Sequence, residues 1–167
     1  MSRLIRFLNR HFDAEKINGG VESRTYLYRW VLWRPKTREG KEDRGRALYL
    51  HRFVGDDWAT DLHDHPKRFV TIGLWGRYHE EWQKPGDVVI RRRTFRAPWI
   101  RTFGPHHRHR LTLDEGRREC WTLVYTGPIT RNWGFWERCD DNTIAWTPWD
   151  IYVRKHGAKG GAESTLS

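Results

Sequence analysis

The stretch DLHDHPKRFVTIGLWG, residues 61–76, contains the features that decide the predicted fold. His63 and His65 are two positions apart, and residues with that spacing on a β-strand face the same side of the sheet. An apolar run rich in β-branched and aromatic residues then leads to Gly76, which is typical of a buried strand that ends in a turn. We therefore expect strands here that place two imidazoles side by side, with Asp64 facing away from them.

Much of the remaining chain reads as short strands. Runs of aromatic and β-branched residues alternate with charged or Gly- and Pro-containing loops at near-regular spacing, which is typical of a small all-β barrel or sandwich. The predicted strands are 25–33, 47–53, 68–75, 87–93, 99–103, 109–113 and 120–126.

The two ends of the chain depart from this pattern. Apolar residues at helical spacing predict an amphipathic helix over residues 3–16, docked on the main body. The last segment has little apolar content and is predicted to be disordered. The chain is thus divided into an N-terminal helix and turn (1–20), a β-barrel domain (21–154) and a tail (155–167).

Composition restricts the classes of protein that fit. The chain has 167 residues, enough for one domain with a real core, and a net charge of +10 that favours anionic substrates or nucleic acid as partners. Its two cysteines form no CxxC pair, which excludes a zinc ribbon. No apolar run approaches a membrane span, and the N-terminus lacks a signal peptide's apolar core, so we expect a cytoplasmic protein without membrane attachment.

A second group of histidines lies in GPHHRHRL, residues 104–111. His107 and His109 are two apart and can both face the barrel interior, whereas His106 would face the other way. One of them, added to the first two histidines, would complete a facial metal site with open positions for substrate and O2. The spacing alone leaves open which of the two is the third ligand.

These features resemble the cupin superfamily. Its first motif is HxH, three or four residues, Glu, six residues and Gly, and the overall spacing from His63 and His65 to Gly76 is similar. The Glu position falls on Phe69, so this sequence lacks the motif carboxylate. The segment PGDVV, residues 85–89, resembles the opening of the second cupin motif.

The resemblance extends over residues 47–126 and implies an all-β fold of the cupin type. That fold is a double-stranded β-helix, or jelly-roll barrel, here preceded by a short N-terminal helix. The late histidine of the second motif stands a few residues before a turn, and His109 has that position relative to the sequence DEG (114–116). The resemblance therefore favours His109 as third ligand, with His107 as a supporting or alternative ligand.

Loss of the motif Glu has a chemical consequence. Three neutral imidazoles leave more positive charge on a divalent metal than a ligand set that includes a carboxylate. His79, Glu80 or Glu81 on the next strand could add a further ligand, and either Glu could restore a carboxylate. Three-His cupin sites resemble the iron sites of thiol dioxygenases and of dioxygenases that cleave diketones or aromatic rings. The resemblance implies a divalent metal, Fe(II) first and Zn, Ni or Mn as alternatives, and an O2-dependent dioxygenase acting on a small anionic substrate.

Three further residues are candidates for substrate contacts. Arg52 or Arg110 could hold a substrate carboxylate through two hydrogen bonds, and Tyr78 could donate a hydrogen bond to it. The basic stretches 91–96 and 106–110 could instead bind a phosphate or a nucleic-acid backbone. The alternative functions are a non-catalytic cupin that binds a small molecule or nucleic acid, and a metal-dependent isomerase or epimerase; a homodimer is compatible with the Trp content.

Overall fold

The computed structural model describes residues 3–19, 24–36, 45–114, 116, 119–139 and 143–156. The predicted tail lies outside the described residues from position 157 onward. The elements are α1 (Arg3–His11), β1 (Asp13–Gly19), β2 (Arg24–Trp33), β3 (Ala47–Phe53), β4 (Leu62–His63), β5 (Lys67–Gln83), β6 (Arg91–Arg96), β7 (Trp99–Phe103), β8 (Arg108–Thr112), β9 (Cys120–Ile129), β10 (Gly134–Arg138), β11 (Ile144–Pro148) and α2 (Trp149–Lys155).

The strands form two antiparallel walls joined through the long strand β5. The first wall has the order β1-β2-β3-β9-β5-β7, and the second has the order β6-β5-β8-β4-β10-β11. The predicted all-β barrel with a short N-terminal helix is confirmed. The strands predicted at 47–53 and 99–103 are observed with those bounds. The strand predicted at 87–93 is observed at Arg91–Arg96.

Strand β5 crosses from one wall to the other at Gly76. Its first half pairs with β7 and β9, and its second half pairs with β6 and β8. Gly76 has a φ of 82°, and a Cβ at this position would collide with the carbonyl oxygen of Glu119. Only glycine adopts this backbone without strain, so the predicted turn is a bend inside one continuous strand.

The predicted helix over residues 3–16 is wrong in its second half. The helix α1 ends at His11, and the next segment forms the edge strand β1, paired in register with β2. Cross-strand contacts support this pairing, including an ion pair between Glu15 and Arg29 at 3.3 Å. Helical spacing of the apolar residues could not reveal that these residues extend a sheet. Neither helix of the described residues is long and apolar enough to cross a membrane.

Aromatic side chains close the end of the second wall. Phe135 on β10 stacks on Tyr152 of α2 with ring centroids 3.9 Å apart, and Ala59 completes this buried cluster. Phe135 is also the register partner of His63 on β4. Burial of such large rings stabilises the wall that carries His63.

Candidate metal centre

Three histidines meet on the inner face of the second wall. His63 on β4 is the register partner of His109 on β8, and His65 follows just beyond the end of β4. The ring centroids are 5.0 Å apart between His63 and His65, 5.0 Å between His63 and His109, and 4.9 Å between His65 and His109. One nitrogen of each ring lies within 4.8 Å of the other two. The structure thus brings together the three histidines that the motif singled out.

Asp64 anchors the turn between the first two histidines. It is fully buried, and its carboxylate accepts hydrogen bonds from Arg131 Nη1 at 2.6 Å and the Gly134 amide at 2.9 Å. The indole nitrogens of Trp136 and Trp146 each donate to the same carboxylate at 3.1 Å. The turn is therefore held on β10 and β11, and this role of Asp64 was not apparent from the sequence.

A second buried carboxylate orients His109. Glu80 Oε1 lies 2.7 Å from His109 Nδ1 and accepts from Arg101 Nη1 at 2.8 Å. Burial alone would raise the pKa of Glu80, but hydrogen bonds from His107 and His109 and the charge of Arg101 hold it well below its usual range. An ionised carboxylate only accepts hydrogen bonds, so Nδ1 of His109 carries the proton and Nε2 keeps a lone pair for a metal.

The protonation state of the cluster suits metal binding. Burial lowers the pKa of His65 well below its ordinary value, and the neighbouring His109 lowers it further. Burial also lowers the pKa of His109 to about 3, against the opposing effect of Glu80. Both rings are therefore neutral near pH 7, and neutral imidazole is the form that ligates metals.

The geometry and donor type fit a divalent transition metal. Nε2 of His65 and Nε2 of His109 are 2.7 Å apart, and one nitrogen of His63 lies within 4.8 Å of both ligand atoms. Nδ1 of His63 also lies 3.8 Å from Asp57 Oδ2. Imidazole nitrogens bind such metals at ~2.1 Å, so three donors this close can share one ion. Imidazole donors suit Fe, Ni, Cu and Zn alike, so they do not select among these metals.

Phe69 occupies the place of the motif carboxylate. Its ring centroid lies 4.6 Å from that of His65, and it stacks on Phe103 at 5.0 Å. The position next to the histidines is therefore apolar, and no carboxylate reaches the cluster from it.

A second group of donors, Glu80, His107 and His109, shares one histidine with the first. Glu80 already pairs with Arg93 at 2.5 Å and Arg101 at 2.8 Å, and a cation placed there would face both guanidinium groups. Electrostatics therefore favour the three-His group. Nε2 of His107 lies 2.9 Å from Glu80 Oε1, so His107 supports the carboxylate that orients His109, and its use as a metal ligand stays a prediction.

The three histidines line a cavity of about 150 Å³ between the walls. Tyr78 lines the same cavity, as its candidate role requires, and its hydroxyl lies 3.5 Å from Arg101 Nη1. The first wall contributes polar residues that sequence reasoning did not identify: Arg29, His51, Thr71 and Thr122. Buried positions alternate along β3 and along the first part of β9, and this alternation is the signal that could have identified His51 and Thr122.

The structure does not bring Arg52 and Arg110 to this cavity. Arg52 alternates with the inward-facing His51 and donates two hydrogen bonds to Glu119, at 2.7 and 3.1 Å. Arg110 donates from Nε to Glu81 Oε2 at 2.6 Å. A shift of one residue along a strand moves a side chain to the other face, so nearness in sequence to the motif did not place either arginine in the site.

No family model matches the chain, and no curated protein matches its sequence significantly. Solved structures match it by shape. The Fe(II) form of HppE has 14% sequence identity, covers 70% of this chain and 56% of that chain, and gives a TM-score of 0.51. A substrate complex of HppE also gives 0.51, at 14% identity over 70% of this chain and 57% of that chain.

The full name of that enzyme is hydroxypropylphosphonic acid epoxidase, and the source is S. wedmorenis. An RmlC-like cupin protein from Ralstonia eutropha has 12% identity, covers 86% of this chain and 80% of that chain, and gives a TM-score of 0.47. This chain spans a little over half the length of HppE. The two-walled antiparallel barrel and its likeness to HppE show that the chain has the cupin fold.

Proposed function

We propose that the protein is a metal-dependent cupin that holds one divalent ion through His63, His65 and His109 and uses O2 to oxidise a small anionic substrate. The observation that carries this proposal is the convergence of three imidazoles, one buried and two half-buried, on one cavity between the walls. Fe(II) is the first metal to test, and the fold likeness to an Fe(II) enzyme supports that choice.

Bound Fe(II) would supply adjacent open positions at which substrate and O2 can bind together. The protein's own residues prepare the site. Glu80 keeps the proton of His109 on Nδ1, Asp64 holds the turn between the other two ligands, and Phe69 and Phe103 keep one side apolar. A dioxygenase reaction transfers both oxygen atoms to the substrate, so it balances without an external reductant.

The charge of the site supports an anionic substrate. Three neutral imidazoles leave the two positive charges of a divalent ion uncompensated at its ligands, and a bound ion dominates the local field. Glu80 lies behind His109 and is already paired with Arg93 and Arg101. An anionic group entering the cavity would therefore meet a net positive centre.

Metal content tests the proposal directly. Untagged protein is expected to contain about one equivalent of iron, and His63→Ala and His109→Ala are expected to contain none while remaining folded. His106→Ala is the matched control, because His106 is exposed on the neighbouring loop. O2 consumption with Fe(II) and a panel of small organic acids should then be lost in His63→Ala.

Two outcomes would contradict the proposal. Absence of metal in folded wild-type protein, even after incubation with Fe(II), would remove the metal centre. Binding of zinc or nickel in preference to iron, without O2 consumption, would keep the metal centre and overturn the oxygenase activity.

A further inference from the structure

A row of polar side chains crosses the first wall, and it lines the same cavity as the three histidines. Arg29, His51 and Thr122 are register partners across β2, β3 and β9. The rows on either side are apolar or aromatic: Leu27, Phe53 and Cys120 on one side, and Val31, Tyr49 and Val124 on the other. The polar row is thus a departure from the apolar inner face of this wall.

Thr122 is fully buried, and its hydroxyl has no hydrogen-bond partner in the described part of the chain. A buried hydroxyl without a partner costs free energy, because it has lost its bonds to water and gained none. A valine would fill the same space without this cost. A ligand in the cavity that Thr122 lines would supply the missing partner.

His51 offers a second donor with a defined proton position. Arg29 Nε donates to His51 Nε2 at 3.1 Å, so Nε2 accepts and the proton of the neutral ring is on Nδ1. Burial and the neighbouring Arg29 lower the pKa of His51 well below its ordinary value, which keeps the ring neutral. Among the described residues, Nδ1 has no hydrogen-bond partner, so it can donate to a ligand.

Arg29 provides one partly compensated positive charge. Its Nη1 lies 3.3 Å from Glu15 Oε2, and its guanidinium is held 4.8 Å from the ring centroid of Tyr49. The half-buried Asp57 also lines the cavity. Glu15 also pairs with Arg34 at 3.6 Å, so the two guanidinium groups and this one carboxylate leave a single positive charge to balance a ligand anion. A second negative charge on the ligand would face Asp57. The row therefore suits a monoanion better than a dianion.

We propose that Arg29, His51 and Thr122 bind the carboxylate of the substrate, and that the rest of the substrate reaches the three histidines. This inference rests on the proposed metal centre for the position of the reacting end. A cavity of about 150 Å³ has room for a molecule the size of benzene. The substrate is accordingly a small monocarboxylic acid of roughly six to eight non-hydrogen atoms.

Binding of small probes tests the carboxylate site without any turnover. Affinities for propionate, propionamide and propylphosphonate are measured by NMR titration of wild type, Arg29→Gln and Thr122→Val. Propionate is expected to bind, with about a tenfold loss of affinity in each variant, because each loses a hydrogen bond to a charged group. Arg52→Gln is the matched control, because that arginine pairs with Glu119 on the outer face of the neighbouring strand.

Repeating the titrations with metal-free protein and with His63→Ala separates the two proposals. If propionate binding persists in these proteins and still depends on Arg29, it supports the carboxylate site at the polar row. This support would hold even if the proposed metal centre is wrong. If propionate binding is lost with the metal and is insensitive to Arg29→Gln and Thr122→Val, the polar row does not bind the carboxylate. That result would overturn this proposal and leave the proposed metal centre intact. Tighter row-dependent binding of propylphosphonate than of propionate would overturn the assignment of a carboxylate.

Discussion

The three histidines on the second wall and the polar row on the first wall differ in how their polar atoms are partnered. His109 is held by Glu80, and the turn between His63 and His65 is held by a carboxylate that accepts four hydrogen bonds. In the polar row, by contrast, the hydroxyl of Thr122 has no partner among the described residues. A metal site needs its ligands oriented in advance, whereas a substrate site needs donors that remain available until the substrate binds.

The largest effect is expected from removing the anchor of the histidine turn. Asp64→Ala leaves Arg131 and two indole nitrogens without their acceptor inside the second wall, and should lower the free energy of unfolding by about 3 kcal/mol. Urea denaturation measures this change. Asp150→Ala is the control, because its pair with Arg154 is exposed and should contribute little. Equal effects of the two changes would show that Asp64 is not an anchor.

The next effect concerns the orientation of His109. Glu80→Gln keeps the size of the side chain but removes the charge that holds the proton on Nδ1, so metal affinity should fall by about 10- to 100-fold. Competition with a chelator of known affinity measures the loss. Glu81→Gln is the matched control, since that carboxylate pairs with Arg110 away from the cavity. Unchanged affinity in Glu80→Gln would mean that the carboxylate does not orient the ligand.

A smaller and opposite effect on stability is expected in the polar row. Thr122→Val replaces an unpartnered buried hydroxyl by a methyl group, so ligand-free protein should be unchanged in stability or more stable by up to about 1 kcal/mol. Thermal unfolding without added carboxylate measures this difference. A clear loss of stability would indicate that the hydroxyl has a structural role. The polar row would then be partnered within the protein, like the polar atoms around the histidines.

The smallest effect concerns a carboxylate on β10 that contacts the end of α2 and does not line the cavity. Burial alone would raise the pKa of Glu137, but hydrogen bonds from Lys155, Thr147 and His156 outweigh it and lower the pKa from 4.5 to about 2. A carboxylate with a lowered folded-state pKa stabilises the fold above pH 4.5, and this contribution is lost as the pH falls towards 2. Chemical denaturation of Glu137→Gln at several pH values should therefore show a shallower decrease in stability across that range than wild type shows. Parallel curves would contradict this assignment.

The sequence predicted structure well where apolar and polar residues alternate along a strand, and where a motif has fixed spacing. The spacing of His63, His65 and Gly76 predicted the fold type, and the pair of histidines in the later stretch supplied the third donor. The same reasoning failed for β1, because helical spacing in an edge segment does not reveal pairing with β2. It named Arg52 and Arg110 as substrate contacts and did not consider Arg29, because closeness to a motif in sequence does not determine which face of the barrel a side chain occupies.

The sequence by itself determined an all-β chain with two pairs of histidines at strand spacing, since both depend on residue type and on separations of a few positions. Only the tertiary structure decided that Glu80 orients His109, that Asp64 anchors the histidine turn, and that Arg29, His51 and Thr122 form one row in the same cavity. Those relations join strands far apart in the chain. They depend on register across two walls, and register is set by the packing of the whole barrel rather than by any single segment.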